Sequence, residues 1–176
     1  LGFSDDAMAM WFYQQVDGVT RWLRYEEATQ KDMAWFVKTL NSLPYIYGRI
    51  VFPWDGQAAM EFTSQCGFRN VTKVWKRTSS VQSEIEKVRR GLRSSIIDGQ
   101  LCAKGIECLR NYSRKWDDLK QVFSQKAEHD KWSHGADAMR TGFEGELGPL
   151  MFAGQMGQAV KVITEFDARA LPVGVS

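Results

Sequence analysis

Apolar side chains run almost without interruption through AMAMWFYQQV, residues 7–16, in a mixed rather than strict alternation. Asp17-Gly18 follows and is a strong signal for a two-residue hairpin turn. Residues 19–26 then alternate, with Val19, Arg21, Leu23 and Tyr25 on one face. The pair predicts two antiparallel strands. The period then changes: Met33, Phe36, Val37 and Leu40 recur at helical spacing, and Pro44 ends a helix predicted over 31–43. Residues 46–52 read as a buried strand that Pro53 stops, which leaves Asp55 just past the strand end. A helix is expected over 56–66, terminated by Gly67, and NVTKVW reads as a short strand.

Ser79 with Gln82 three residues on has the pattern of a capping box. Val81, Ile85, Val88, Leu92 and Ile96 follow as one helical stripe, and Ile106, Leu109, Tyr112 and Trp116 as another. Residues 116–128 are polar and turn-like, with a small hairpin around KQVFSQK. Trp132, Ala136, Met139 and Phe143 make the apolar side of a last helix. After Pro149 the pattern weakens, and 149–176 reads as a flexible tail with room for one short strand or helix. The predicted order, β-β-α-β-α-β-α-α-α, defines an α/β sheet covered by helices. Sites in such sheets form beyond the carboxyl ends of strands, where Asp55 falls.

Composition adds limits. The 176 residues suffice for one domain, and 7 Trp and 10 Phe supply large apolar surfaces. A net charge of +2 does not mark a strongly basic nucleic-acid binder, yet it leaves room for a local basic groove. No apolar run is long enough to span a bilayer and no signal peptide is evident, so no membrane partner is expected. Cys66, Cys102 and Cys108 are odd in number and lack zinc-knuckle spacing, so reduced thiols are expected. The chain has no GxxxxGK[ST] phosphate loop, and its start at Leu1 reads like a fragment with an upstream part absent.

The segment EHDKWSHGADAMRTGF holds the candidate chemistry. Asp130, His134 and Asp137 are spaced by 4 and 3 residues, which brings them to one face of a helix. With Asp55 they could form a carboxylate-imidazole set for a divalent cation; oxygen ligands suit Mg²⁺ or Mn²⁺, and one imidazole is compatible with Mn²⁺. Each residue also has a plainer role. Asp130 fits an N-cap, His134 a satisfied semi-buried histidine, Asp137 a surface partner of Arg140 or Lys131, and Asp55 a turn residue.

SHGADAMR resembles the last motif of the nuclease domain of bacteriophage terminase large subunits, the motors that package and cut phage DNA. Three further segments resemble the same family in order: LGFSDDAMAMWFYQQVDG its opening, YIYGRIVFPWDG its second motif, and GLRSSIIDGQLCAKGIECLRNYSRKWDD the stretch before the last motif. The resemblance covers Leu1 to about Gly145. It implies an RNase H-like mixed sheet flanked by helices over 1–148, and a metal-dependent endonuclease using two Mg²⁺ or Mn²⁺ ions. By the same carry-over, Asp55 and Asp137 are catalytic metal ligands and His134 joins them, while Asp130 falls back to capping. WDDLKQVFSQKAEHD occupies the place of a hairpin that gates DNA access. The family's first metal Asp is expected directly before Leu1; Asp5 or Asp6 could substitute for it, but they follow that position and read first as turn residues.

The implied substrate is double-stranded concatemeric DNA, cut during genome packaging. Implied partners are an ATPase domain of the same polypeptide, the portal protein and the small terminase subunit, met in the host cytoplasm at the procapsid portal. Lys73, Lys76 and Arg77 in KVWKR are candidate phosphate contacts, as are KVRRGLR and RNYSRK, which also read as solvated faces. Two alternatives stay open: another RNase H-like nuclease such as a junction resolvase or transposase core, and a catalytically incomplete module that docks on the portal.

Overall fold

The fold is that of a computed structural model, which describes residues 7–75, 80–117, 121–127, 130–144 and 157–165. The opening strands are β1 (Ala7–Val16) and β2 (Val19–Thr29), paired antiparallel from Ala7↔Thr29 to Val16↔Val19. Asp17 and Gly18 both take positive φ, 51° and 77°, as a type I′ turn demands. Helix α1 (Met33–Ser42) starts at Asp32, whose carboxylate accepts from the Trp35 N–H at 2.9 Å. Strand β3 (Tyr47–Phe52), helix α2 (Gln57–Gln65) and strand β4 (Val71–Lys73) follow, close to their predicted places.

Helix α3 (Val81–Leu92) is capped one residue later than the sequence pattern indicates. Ser80, in extended conformation, accepts from the Ser83 N–H at 3.2 Å; Ser79 lies outside the described residues. The stripe also ends sooner than expected. The hydroxyls of Ser94 and Ser95 both bond the Gly91 carbonyl, at 3.2 and 2.9 Å, and draw it out of the helical ladder. Ile96 therefore belongs to a short strand, β5 (Ser95–Ile97), parallel to Thr20–Trp22 of β2. Trp116 likewise leaves its predicted helix. Helix α4 (Ala103–Asn111) stops before it, and β6 (Arg114–Asp117) pairs with β7 (Val122–Ala127) in the expected small hairpin. Helix α5 (Ser133–Gly142) matches the last predicted helix.

The expected tail contains a strand, β8 (Gly157–Glu165), in the interior of the main sheet. The strand order is β4-β3-β8-β1-β2-β5. β8 runs antiparallel to β1 (Phe12↔Val162, Ala9↔Glu165) and parallel to β3 (Ile50↔Val162, Val51↔Ile163). The rest of 149–176 lies outside the described residues.

Two apolar layers explain the near-continuous apolar run of β1. Met8, Met10 and Phe12 pack with Phe36 and Leu40 of α1, Ala59 of α2, and Ile50, Phe52 and Val162 of the neighbouring strands. Ala9, Trp11 and Tyr13 pack the other way, with Val88 of α3, Cys108 of α4, and Ala138 and Met139 of α5. A strand covered on both faces has no polar side to alternate with. The Trp11 ring lies 5.5 Å from Trp22 and 4.7 Å from Tyr25, edge-on and tilted, at the middle of the second layer. The result is a mixed sheet with α1 and α2 on one face and α3, α4 and α5 on the other.

Candidate functional site at one end of the sheet

Phe52 ends β3, and Pro53 offers no N–H to continue the ladder. The chain turns through Trp54 and Asp55 and closes with a 3.0 Å bond from the Gly56 N–H to the Pro53 carbonyl. A Cβ on Gly56 would meet the Phe52 Cβ and the Pro53 carbonyl oxygen at 3.1 Å, so the turn is tight where α2 begins. Asp55 is thereby held exposed between the end of β3 and the start of α2.

Helix α5 comes to the same end. The Trp11 indole N–H donates to the Gly135 carbonyl at 2.8 Å, whereas the Phe143 ring lies 6.0 Å from Trp22, the register partner of Tyr13. The helix thus runs forward along β1, and its first turn, with His134, lies toward the start of β1. That start is aligned with the carboxyl end of β8 through Ala9↔Glu165, and β8 is parallel to β3. The first turn of α5 and the carboxyl ends of β3 and β8 therefore share one end of the molecule. The last residue of β8, Glu165, is an acidic residue at that end which the sequence pattern did not single out.

His134 is buried. Asp137, one turn on, is one-quarter exposed at its side chain. Its Oδ1 accepts from the Tyr112 hydroxyl at 3.2 Å and from the Arg140 guanidinium. Arg140 continues to Glu84 of α3, with Nε at 3.0 Å and Nη2 at 2.5 Å from the same carboxylate oxygen, and its Nη1 meets the Tyr112 hydroxyl at 2.6 Å. Asp137 does pair with Arg140, one of its two plainer readings, but the pair is not a surface one. Glu84 and Arg140 are buried, so their charges rest on each other rather than on solvent.

Burial opposes the charge on Arg140, but Asp137, Tyr112 and Glu84 outweigh it and hold the guanidinium above its ordinary value. Burial, reinforced by the Asp137 charge, pushes Tyr112 up to about 12. Tyr112 is therefore a protonated donor to Asp137 at neutral pH. Asp130 is not the N-cap, which is Trp132 without a side-chain cap bond; it stands two residues ahead, where its Oδ1 accepts from the Trp132 N–H at 2.9 Å and its carbonyl from the Ser133 N–H at 3.1 Å, as in an Asx-turn. Lys73 is exposed at the end of β4, where it pairs in register with Phe52. Lys76, Arg77, Asp5 and Asp6 lie outside the described residues.

Among the described residues, no three or more His, Cys, Asp and Glu side chains are grouped to hold a metal ion. The donor types at this end, the exposed Asp55 carboxylate and the buried His134 imidazole, are those that hard divalent cations accept. Missed by the sequence reading was the Glu84–Arg140–Tyr112 network behind Asp137. A signal for Glu84 was present, since it stands 3 residues after Val81 and 4 before Val88 and so on the inner face of α3.

The mixed sheet, with a parallel β8–β3–β4 half, an antiparallel β8–β1–β2 half and helices on both faces, is RNase H-like. The chain is similar in structure to the crystal structure of the g2p (large terminase) nuclease domain from the bacteriophage SPP1 with bound Mn: TM-score 0.63, 16% sequence identity, 81% of each chain covered. That likeness is one of fold. No protein-family model matches the sequence, and no curated protein matches it either.

Proposed function

We propose that the protein is the nuclease domain of a phage terminase large subunit, a divalent-metal-dependent endonuclease that cuts double-stranded concatemeric DNA during genome packaging. The observation that supports this reading is the exposed Asp55 beyond the carboxyl end of β3, at the end of the sheet toward which the first turn of α5 lies, in a fold like that of a Mn-bound nuclease domain. Asp55, His134 and Asp137 would hold the metal, Mg²⁺ or Mn²⁺ and in this reading two ions. Bound there, the metal supplies an activated water and neutralises the charge that develops on the leaving oxygen.

The chain's own groups do the positioning. Arg140 and Tyr112 fix the Asp137 carboxylate on one oxygen. Arg140 is itself locked by Glu84, so the carboxylate has little rotational freedom to lose on binding. Lys73 contacts a backbone phosphate beside the cut, with Lys76 and Arg77 continuing that basic run. An ATPase domain of the same polypeptide, a portal protein and a small terminase subunit are the partners this reading brings.

The test is nicking of supercoiled plasmid with Mn²⁺ or Mg²⁺. Asp55→Ala and Asp137→Ala are expected to lower the rate at least a thousandfold with circular dichroism unchanged, and chelation to abolish it. Undiminished cleavage by Asp55→Ala would overturn the reading.

A further inference from the structure

Two tryptophans have exposed surface at the end of the sheet that carries Asp55. Trp75 is 93% exposed and Trp54 42%, whereas Trp11 and Trp22 are buried in the core. Their positions are linked by strand pairing. Phe52 is the register partner of Lys73, and the Val74 N–H reaches the Phe52 carbonyl at 3.0 Å. Trp54 and Trp75 each follow that pair by two residues, so both chains leave the sheet at the same end. Asp55 is next in sequence to Trp54, and exposed Lys73 lies two residues before Trp75. Among the described residues β4 is the outermost strand on this side of the sheet.

A corner that exposes surface of two large aromatic rings beside a lysine gains by covering that surface. The charge selects among occupants. KVWKR contains three cations and no carboxylate, which complements a polyanion. Aromatic faces interleaved with cations are the means by which proteins hold single strands: bases stack on the rings, and phosphates meet the lysines. Bases inside a duplex are already stacked and offer no free face.

We propose that Trp54, Trp75 and Lys73 form a stacking platform for unpaired nucleobases of the DNA strand next to the cleavage position. The platform rests on the nuclease reading and narrows its substrate to DNA that is frayed or unwound at the cut. Trp75, the more exposed ring, meets the base farther from Asp55.

The experiment is fluorescence anisotropy on the full chain in chelator, so that no cleavage intervenes. Two labelled DNAs are compared, one fully paired and one of the same length with a central unpaired thymidine tract. The native protein is expected to bind the unpaired tract about tenfold more tightly. Trp75→Ala and Trp54→Ala should each remove most of that preference, leave binding to paired DNA unchanged, and be restored by Phe. Lys73→Ala should weaken both DNAs and reduce the salt slope by about one. Equal losses on the two DNAs, or no loss on either, overturn the platform; the latter leaves the corner to a protein partner. The two proposals fail separately. A preference for unpaired DNA without metal-dependent cleavage keeps the platform and sinks the nuclease, and cleavage without that preference does the reverse.

Discussion

Glu84, with its side chain 2% exposed, and Arg140 at 8% place opposite charges inside the α3–α5 contact, where Arg140 also meets Asp137 and Tyr112. Removing Glu84 leaves the buried Arg140 without the acceptor for its Nε and Nη2, and with Asp137 as its charged partner. Glu84→Ala is therefore expected to cost roughly 3–5 kcal/mol in urea unfolding. Glu84→Met with Arg140→Met should cost less than Glu84→Ala alone, because no charge is then stranded. If the single and double changes cost the same, burial of the pair is not what sets its energy. Legibility at this scale depends on sequence distance. Asp55 was readable because Pro53 truncates a strand two residues earlier. His134 and Asp137 were readable because both sit on one short helix. The company Asp137 keeps was not readable: its neighbours come from α3 and α4, and no periodicity of α5 encodes them.

At the scale of elements, strong periodicity and strong punctuation carried the reading. The β1–β2 hairpin, α1, β3 and α2 lie where turn chemistry and spacing put them. The short elements are where pattern failed. β5 was absorbed into a helical stripe because Ile96 happens to continue the 3–4 spacing, and only the serine bonds to Gly91 end the helix. β8 went unread as a defined strand because GQAVKVITE mixes glycine, glutamine and lysine with its apolar residues. Its importance comes entirely from position. Among the described residues, β1 and β3 are not paired with each other; each pairs with β8. Ending the chain after residue 156 is thus expected to abolish the cooperative thermal transition and the near-ultraviolet circular dichroism of the tryptophans. A truncated chain that melted like the full one would show that the two half-sheets stand without it.

For the whole molecule, five acids among the described residues, buried or half-buried, set the alkaline limit, and burial is the largest cause that raises two of them, Tyr25 and the Cys108 thiol. Burial, with the Asp98 charge, pushes the Cys102 thiol from 9.0 up to about 12. Burial does the same to Tyr112, aided by Asp137, and to Tyr47, aided by Tyr45, each from 10.0 to about 12. The unfolded chain releases these protons first, so above about pH 9 it binds fewer of them than the native state, and stability falls as pH rises toward 12. Melting temperature should hold near pH 8 and drop steadily to about pH 11, and Cys102→Ala should flatten the early part of that fall. A melting temperature that rose over this range would contradict the assignment. The overall architecture was legible to the extent that it follows from alternating strands and helices. The place of the last strand was not, because it is decided by which two strands are left with open edges.

The insertion of β8 also sets when the protein can fold. Ala9 must wait for Glu165, and Tyr47 for Val160, before the middle of the sheet exists. On a ribosome the hairpin and both helical layers emerge before that strand, with the inner edges of β1 and β3 unpaired throughout. Those edges are open templates for another chain. The native sheet is thus completed only once β8 has been made, and its yield is set by how well those two edges are kept apart from other chains until then.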